Sequence, residues 1–180
     1  MRRRVLPALL ARLRRDSRGV TVVEFALIAP ILLTLYLAGF SLSDAIACQR
    51  KVTLTARTVS DLASRYSSMS ATDADTVLAV STQVLSPYNA ARAQIRLSEV
   101  RVTSSTAAQV VWSRSLRGTP LTVGSSITLS ANMAATGSYL ILGETSYAFT
   151  PTFAFGAAQA MTLSDQTIMS PRLSDQVPLT

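Results

Sequence analysis

RRDSRGVTVVEFALIAPILLTLYLAGF, residues 14–40, holds the junction that decides the architecture. A basic, polar leader stops at Gly19, and a long apolar run starts at Val20. Glu24 is the fifth residue of that run. A charge at the centre of a membrane helix costs roughly 2.5–3.5 kcal/mol, and somewhat less near an end, so Glu24 calls for a reason. Nineteen uncharged residues separate Glu24 from Asp44. Counted from Val20, the apolar stretch is about 23 residues, or roughly 34 Å of helix. That is enough to cross a hydrocarbon core of about 30 Å. Pro30 lies inside the run; it removes one backbone hydrogen bond and tends to kink a helix, which neighbours in a membrane can re-satisfy.

The charge map agrees with a membrane junction. The chain has 180 residues, a net charge of +7 and no histidine. Seven arginines (Arg2, Arg3, Arg4, Arg12, Arg14, Arg15, Arg18) stand in the first 19 residues against a single acid, Asp16. The other 161 residues carry ten basic and nine acidic side chains and are nearly neutral. A nucleic-acid-binding domain would hold its positive charge on the folded body. Arginines crowded beside an apolar span instead keep that flank cytoplasmic. Arg50 and Lys51, beyond the far end, do not outweigh them. Residues 1–19 therefore read as a cytoplasmic leader, 20–43 as a transmembrane helix, and 44–180 as an extracytoplasmic domain. A cleavable secretory signal is the competing architecture, with a small-residue site around Ala45-Ile46-Ala47. Its apolar core is usually shorter, and it leaves Glu24 unexplained.

The body reads as α+β. Val52, Ala56, Val59, Ala63 and Tyr66 recur at helical spacing, so the helix is expected to continue past the bilayer and to end within Ser67–Ala71. Arg57 with Asp61, and Asp61 with Arg65, are spaced for ion pairs. Thr72-Asp73-Ala74-Asp75 resembles a capping box that opens a second helix, stopped by Ser86-Pro87. Strands are expected at Gln94–Thr103, Ala108–Leu116, Ser138–Phe149 and Met161–Met169, with a loop from Gly118 to Ser126 and an ambiguous stretch at 127–137. The apolar face of the first strand slips after Leu97, which implies a bulge near Glu99 or two covered faces. In the second, Ala108, Val110, Trp112 and Leu116 are expected to share a face. The sum is a long helix and a short helix packed on a small antiparallel sheet.

The absence of histidine removes His-based triads and most zinc or haem sites. With no Gly-rich phosphate loop, nucleophile elbow or metal-binding cluster, no catalytic residue, cofactor, metal or small-molecule substrate is expected, and the chain reads as a non-enzyme. Cys48 cannot form an internal disulfide. It is either a free small residue or a partner for another chain.

Gly19 followed by VTVVEFALIAPILL resembles the TadE/TadG-like pseudopilins of bacterial tight-adherence (Flp) pilus systems. Weaker similarity runs through TARTVSDLASRY (55–66), Trp112-Ser113, Ser-Tyr-x-Phe-x-Pro at 146–151 and Pro171-Arg172. The resemblance implies that a prepilin peptidase cuts after Gly19 and leaves Val20 as the new N-terminus. Glu24 then matches the glutamate at the fifth mature position. Phe25 stands where the major pilins carry tyrosine, keeping the ring and losing the hydroxyl. The large C-terminal domain implies a minor subunit in the inner membrane, with a periplasmic body. Its implied partners are the membrane, the peptidase, other pilin or pseudopilin subunits and the assembly platform. The alternative is a single-pass anchored envelope-binding module that is never processed.

Overall fold

The computed structural model describes residues 19–130, 134–153 and 160–180; the seven leader arginines lie outside them. One α-helix, α1 (Val20–Ser64), runs unbroken for 45 residues, through Pro30 and across the expected boundary at 43/44. It is followed by α2 (Ala71–Ser81), 3₁₀ turns at Thr82–Leu85 and Ala90–Arg92, and five strands. These are β1 (Ala93–Ser104), β2 (Ala107–Leu116), β3 (Ser126–Thr128), β4 (Tyr139–Phe149) and β5 (Met161–Met169). They form one antiparallel sheet in the order β3-β2-β1-β4-β5. The fold is α+β, with both helices on one face of the sheet.

Two layers of α1 behave differently. No residue from Val20 to Phe40 is buried, although most are large and apolar. From Ser41 onward a stripe of small side chains (Cys48, Val52, Ala56, Val59, Ser60, Ala63) is buried against the sheet. Small residues let the helix axis approach closely, and Gly143 on β4 completes the fit. A Cβ there would lie 2.3 Å from Ser60 Oγ and 2.7 Å from the Ala56 carbonyl oxygen. Ser60 Oγ in turn donates to the Thr167 carbonyl on β5 at 3.0 Å, tying α1 to the sheet edge.

Of the two expectations for β1, two covered faces is the one that holds: β1 pairs with β4 without a shift, and the bulge opposite Glu99 lies in β2. Glu99 pairs with Trp112 and Val100 with Val110, so Val111 is the extra residue on β2. An extra residue reverses the alternation beyond it. Trp112 and Leu116 therefore pack with Ile95, Leu97 and Val59 under the helices. Ala108 and Val110 pack with Val100, Val102 and Leu129 on the opposite face, against which Leu121 and Ile127 also pack. The single face expected for Ala108, Val110, Trp112 and Leu116 is thus divided, and both faces of β1 are covered.

Other boundaries move for identifiable reasons. The second helix is capped by Ser70 and Asp73 rather than Thr72 and Asp75: Asp73 N donates to Ser70 Oγ at 3.1 Å, and Ser70 N to Asp73 Oδ2 at 3.0 Å. The C-terminal tail sets that position. Met69 N donates to the Pro178 carbonyl and Thr180 N to the Met69 carbonyl, so residue 69 is held extended and the helix starts just after it. α1 ends at Ser64, earlier than expected, because Arg172 N caps the Ser64 carbonyl. Asp61 pairs with Arg65 at 2.6 Å as the spacing implies, but its other oxygen takes Arg172 at 2.7 Å, and Arg57 is left out. Asp75 pairs instead with Arg114 on β2 at 2.6 Å. The short strand β3 lies across the stretch read as loop and ambiguous chain.

A buried acid closes the tail onto the core. Glu99 is fully buried, and its carboxylate accepts from the Trp112 indole N–H at 3.0 Å and from the Val177 backbone N–H. The same indole also donates to the Val177 carbonyl at 2.8 Å. Burial pushes the Glu99 carboxyl above its ordinary pKa, and these two donors pull it only part of the way back. A raised carboxyl pKa means that the folded state holds the proton more tightly than the unfolded chain. Stability then falls as pH rises through the folded value and is recovered toward the ordinary carboxylate range. Thermal unfolding of the detergent-solubilised chain is expected to show this slope in mildly acidic buffer. Glu99→Gln should flatten that part of the profile, whatever constant offset it adds. Parallel profiles for the two proteins would show that Glu99 does not titrate in that window.

Candidate functional site

Of the residues singled out from sequence, Gly19, Val20, Glu24 and Phe25 lie together on the bare end of α1. Gly19 is the residue before the helix, with φ −83°, an ordinary right-handed conformation. A Cβ at Gly19 would meet nothing within 4 Å. Among the described residues, then, nothing imposes a need for glycine at this position. Val20 and Phe25 are 52% and 68% exposed, and Glu24 is exposed as well. Among the described residues Glu24 makes no ion pair or side-chain hydrogen bond. Helical geometry puts Val20 and Glu24 one turn apart on the same side. Around them the surface is apolar on every side, with Val23, Leu27, Ile31 and Leu35 exposed along one stripe and Val22, Leu32 and Tyr36 on others. A helix apolar all round belongs in a core or a membrane rather than on a water-facing surface. Pro30 leaves the helix continuous, and Thr34 Oγ1 donates to its carbonyl at 2.8 Å.

The other end of the apolar stretch is where the body takes hold of α1. Tyr88 hydroxyl donates to Asp44 Oδ1 at 2.8 Å. That hydroxyl is pushed to a higher pKa, first by burial and then by its hydrogen bond to Asp44. Tyr147 packs edge-on against the Tyr88 ring at 6.1 Å between centroids. Cys48 sits below them, fully buried beside Val52, Leu85 and Phe149. Burial, and then the nearby Asp44 charge, raises the Cys48 thiol to about 11. Of its two expected roles, the structure gives it that of a small buried packing residue, closed to a second chain in this conformation.

With this geometry in place, one comparison is informative. Residues 19–61 match the family model of TadE-like protein. The match starts at Gly19 and ends at Asp61, so it takes in the apolar helix and most of its docked continuation, but neither α2 nor the sheet. It supports a Tad pilus-associated component, and the one long apolar helix among the described residues, near the N-terminus, suggests membrane anchoring. No curated protein and no solved structure matches the chain.

Beyond the TadE-like segment, the weaker sequence similarities fall on residues that hold the sheet, the tail and the helix to one another. Trp112 holds the tail through Glu99, while Ser113 Oγ accepts from Ser98 Oγ at 2.8 Å and from Leu121 N at 2.9 Å. Tyr147 and Phe149 are buried beneath α1, and Arg172 binds Asp61. Tyr88, Ser41 and Gly143 were not legible as contact residues. Glu99 had a signal, since an acid in the middle of an otherwise β-branched strand requires a buried donor or a water-facing side.

Proposed function

We propose that this protein is a minor pseudopilin of a tight-adherence pilus, a structural and assembly subunit without enzymatic activity. A prepilin peptidase at the inner membrane removes residues 1–19, the helix from Val20 stays in the bilayer, and the body is periplasmic. The observation that carries this reading is the TadE-like match beginning at Gly19 on a helix whose first twenty residues are unburied. Gly19 adds to it. Among the described residues nothing requires glycine there, whereas a peptidase groove that approaches the backbone closely would. After cleavage the Val20 amine is largely protonated near neutral pH. Glu24 and this amine, on axially displaced subunits, then neutralise one another in a medium where neither charge is stable alone. Phe25 provides an aromatic surface beside that pair for the neighbouring helix.

N-terminal sequencing of the protein recovered from its native membrane is expected to begin at Val20. Because the peptidase works on the cytoplasmic side, the same result supports the orientation set by the leader arginines. A bulky residue in place of Gly19 should leave the leader attached. A mature terminus near Cys48 would mean signal-peptidase processing and would remove the pilin reading. An intact leader in the native membrane would favour the unprocessed anchored module.

A further inference from the structure

We infer that the outward groove of α1 between Leu54 and Arg172 docks an acidic segment of another pilus subunit. This inference rests on the proposed role in pilus assembly. Its basis is guanidinium charge that the chain does not itself neutralise. Arg50, Leu54, Arg57, Asp61 and Arg65 follow one another at intervals of four, three, four and four residues, so they share one face of α1. Asp61 is the acid of that face, and both of its oxygens are taken, one by Arg65 and one by Arg172. Arg50 and Arg57 are exposed, and among the described residues neither makes an ion pair. Arg50, Arg57, Arg65 and Arg172 are four of the ten basic residues after Gly19, and Asp61 is one of the nine acids. A body that is nearly neutral as a whole thus gathers a net charge of +3 on this surface.

The groove itself is mixed in character. Leu54, 46% exposed, and the partly buried Leu62 and Met169 line a cavity of about 370 Å³ together with Arg57, Asp61 and Arg172. A planar guanidinium matches a carboxylate bidentately, and arginine and methionine are enriched where proteins meet. The occupant that fits is an aspartate or glutamate flanked by apolar side chains. A lipid headgroup fits less well: Arg57 lies thirteen residues beyond Asp44, the first charge after the apolar run, or about 20 Å further along the helix. A second copy also fits less well, because its acids beyond the apolar run are committed. Asp44, Asp75, Glu144 and Asp165 each bind a side chain of their own chain, Asp73 closes the cap of α2, and Glu99 is buried. Asp175 is exposed but stands three residues from Arg172, so a copy that presents it brings the same positive charge with it.

The test places the photo-crosslinking residue benzoylphenylalanine at Leu54 of the full chain in its native membrane and, as a control, at Phe25. Mass spectrometry of the adduct identifies the contacted peptide. The expected result is an adduct from Leu54 to another pilus subunit, within a few residues of an aspartate or glutamate. Arg57→Glu is expected to lower its yield at least about tenfold, because like charges brought together at an interface oppose docking. Reversing the contacted acid to arginine should then restore it. An adduct to lipid or to a second copy, or no adduct at all, overturns the proposal. So does an adduct that is indifferent to Arg57→Glu, or a loss that the reversed acid does not restore. An adduct from Phe25 to pilin subunits in any of these cases leaves the assembly role standing. Silence at both positions removes the assembly role, and this proposal with it.

Discussion

Gly143→Val is expected to undock the long helix from the sheet. The site has no room for a side chain: an added Cβ would stand 2.3 Å from Ser60 Oγ and 2.7 Å from a backbone carbonyl of α1. A hydroxyl can rotate away, but the carbonyl belongs to the helix and moves only with it. Overpacking a tight core costs about 1–3 kcal/mol and occasionally more. Valine brings two further methyl groups, so a loss at or above the top of that range is expected, against a total domain stability of about 5–15 kcal/mol. Gly143→Ala should fall within the range. Ser60→Ala should recover only part of the alanine variant's loss, because it removes the Oγ clash, leaves the carbonyl and forfeits the bond to Thr167. Thermal unfolding of the detergent-solubilised chain measures all three. An unchanged midpoint for Gly143→Val would mean that the helix lifts off the sheet at no cost.

Glu24→Ala is expected to abolish co-purification with partner pilin subunits while membrane abundance stays normal or rises. Removing a charge from the apolar run lowers its insertion cost, so the lone subunit should not suffer. The assembled state should, because the Val20 amine then loses its partner, and breaking a buried pair costs about 3–5 kcal/mol. Each 1.4 kcal/mol is roughly tenfold in an equilibrium constant, so the deficit in assembly should be at least a hundredfold. Glu24 is remote from the folded body, and misfolding is not an available explanation for such a loss. Normal co-purification and normal pilus output in the variant would assign Glu24 to the membrane interface, with no role in register.

What could be read before the structure were properties carried by neighbouring residues. Apolar side chains on every face of residues 20–42, arginines on one flank, glutamate five residues after glycine and β-branched strands each follow from a few positions of chain. The α+β class and the resemblance that starts at Gly19 were legible for that reason. The two covered faces of β1 had a local trace, as a slip in alternation. The bulge in β2 did not, because which face Val110 and Trp112 take depends on pairing Val111 out of the ladder against a strand aligned elsewhere. The same holds for the helix cap at Ser70. Two Ser/Thr-x-x-Asp windows overlap there with equal chemistry, and the choice was made by a tail more than a hundred residues away pairing with Met69. Asp61 had two arginines within reach by spacing, Arg57 and Arg65, and the tail's Arg172 took the place of Arg57. Gly143 carried no signal of its own. Its meaning comes from the helix it meets, at Ser60. Local pattern decides what each segment is, because periodicity and capping act within a turn or two. Which segments meet is decided by the packing of distant surfaces, which no window of sequence contains.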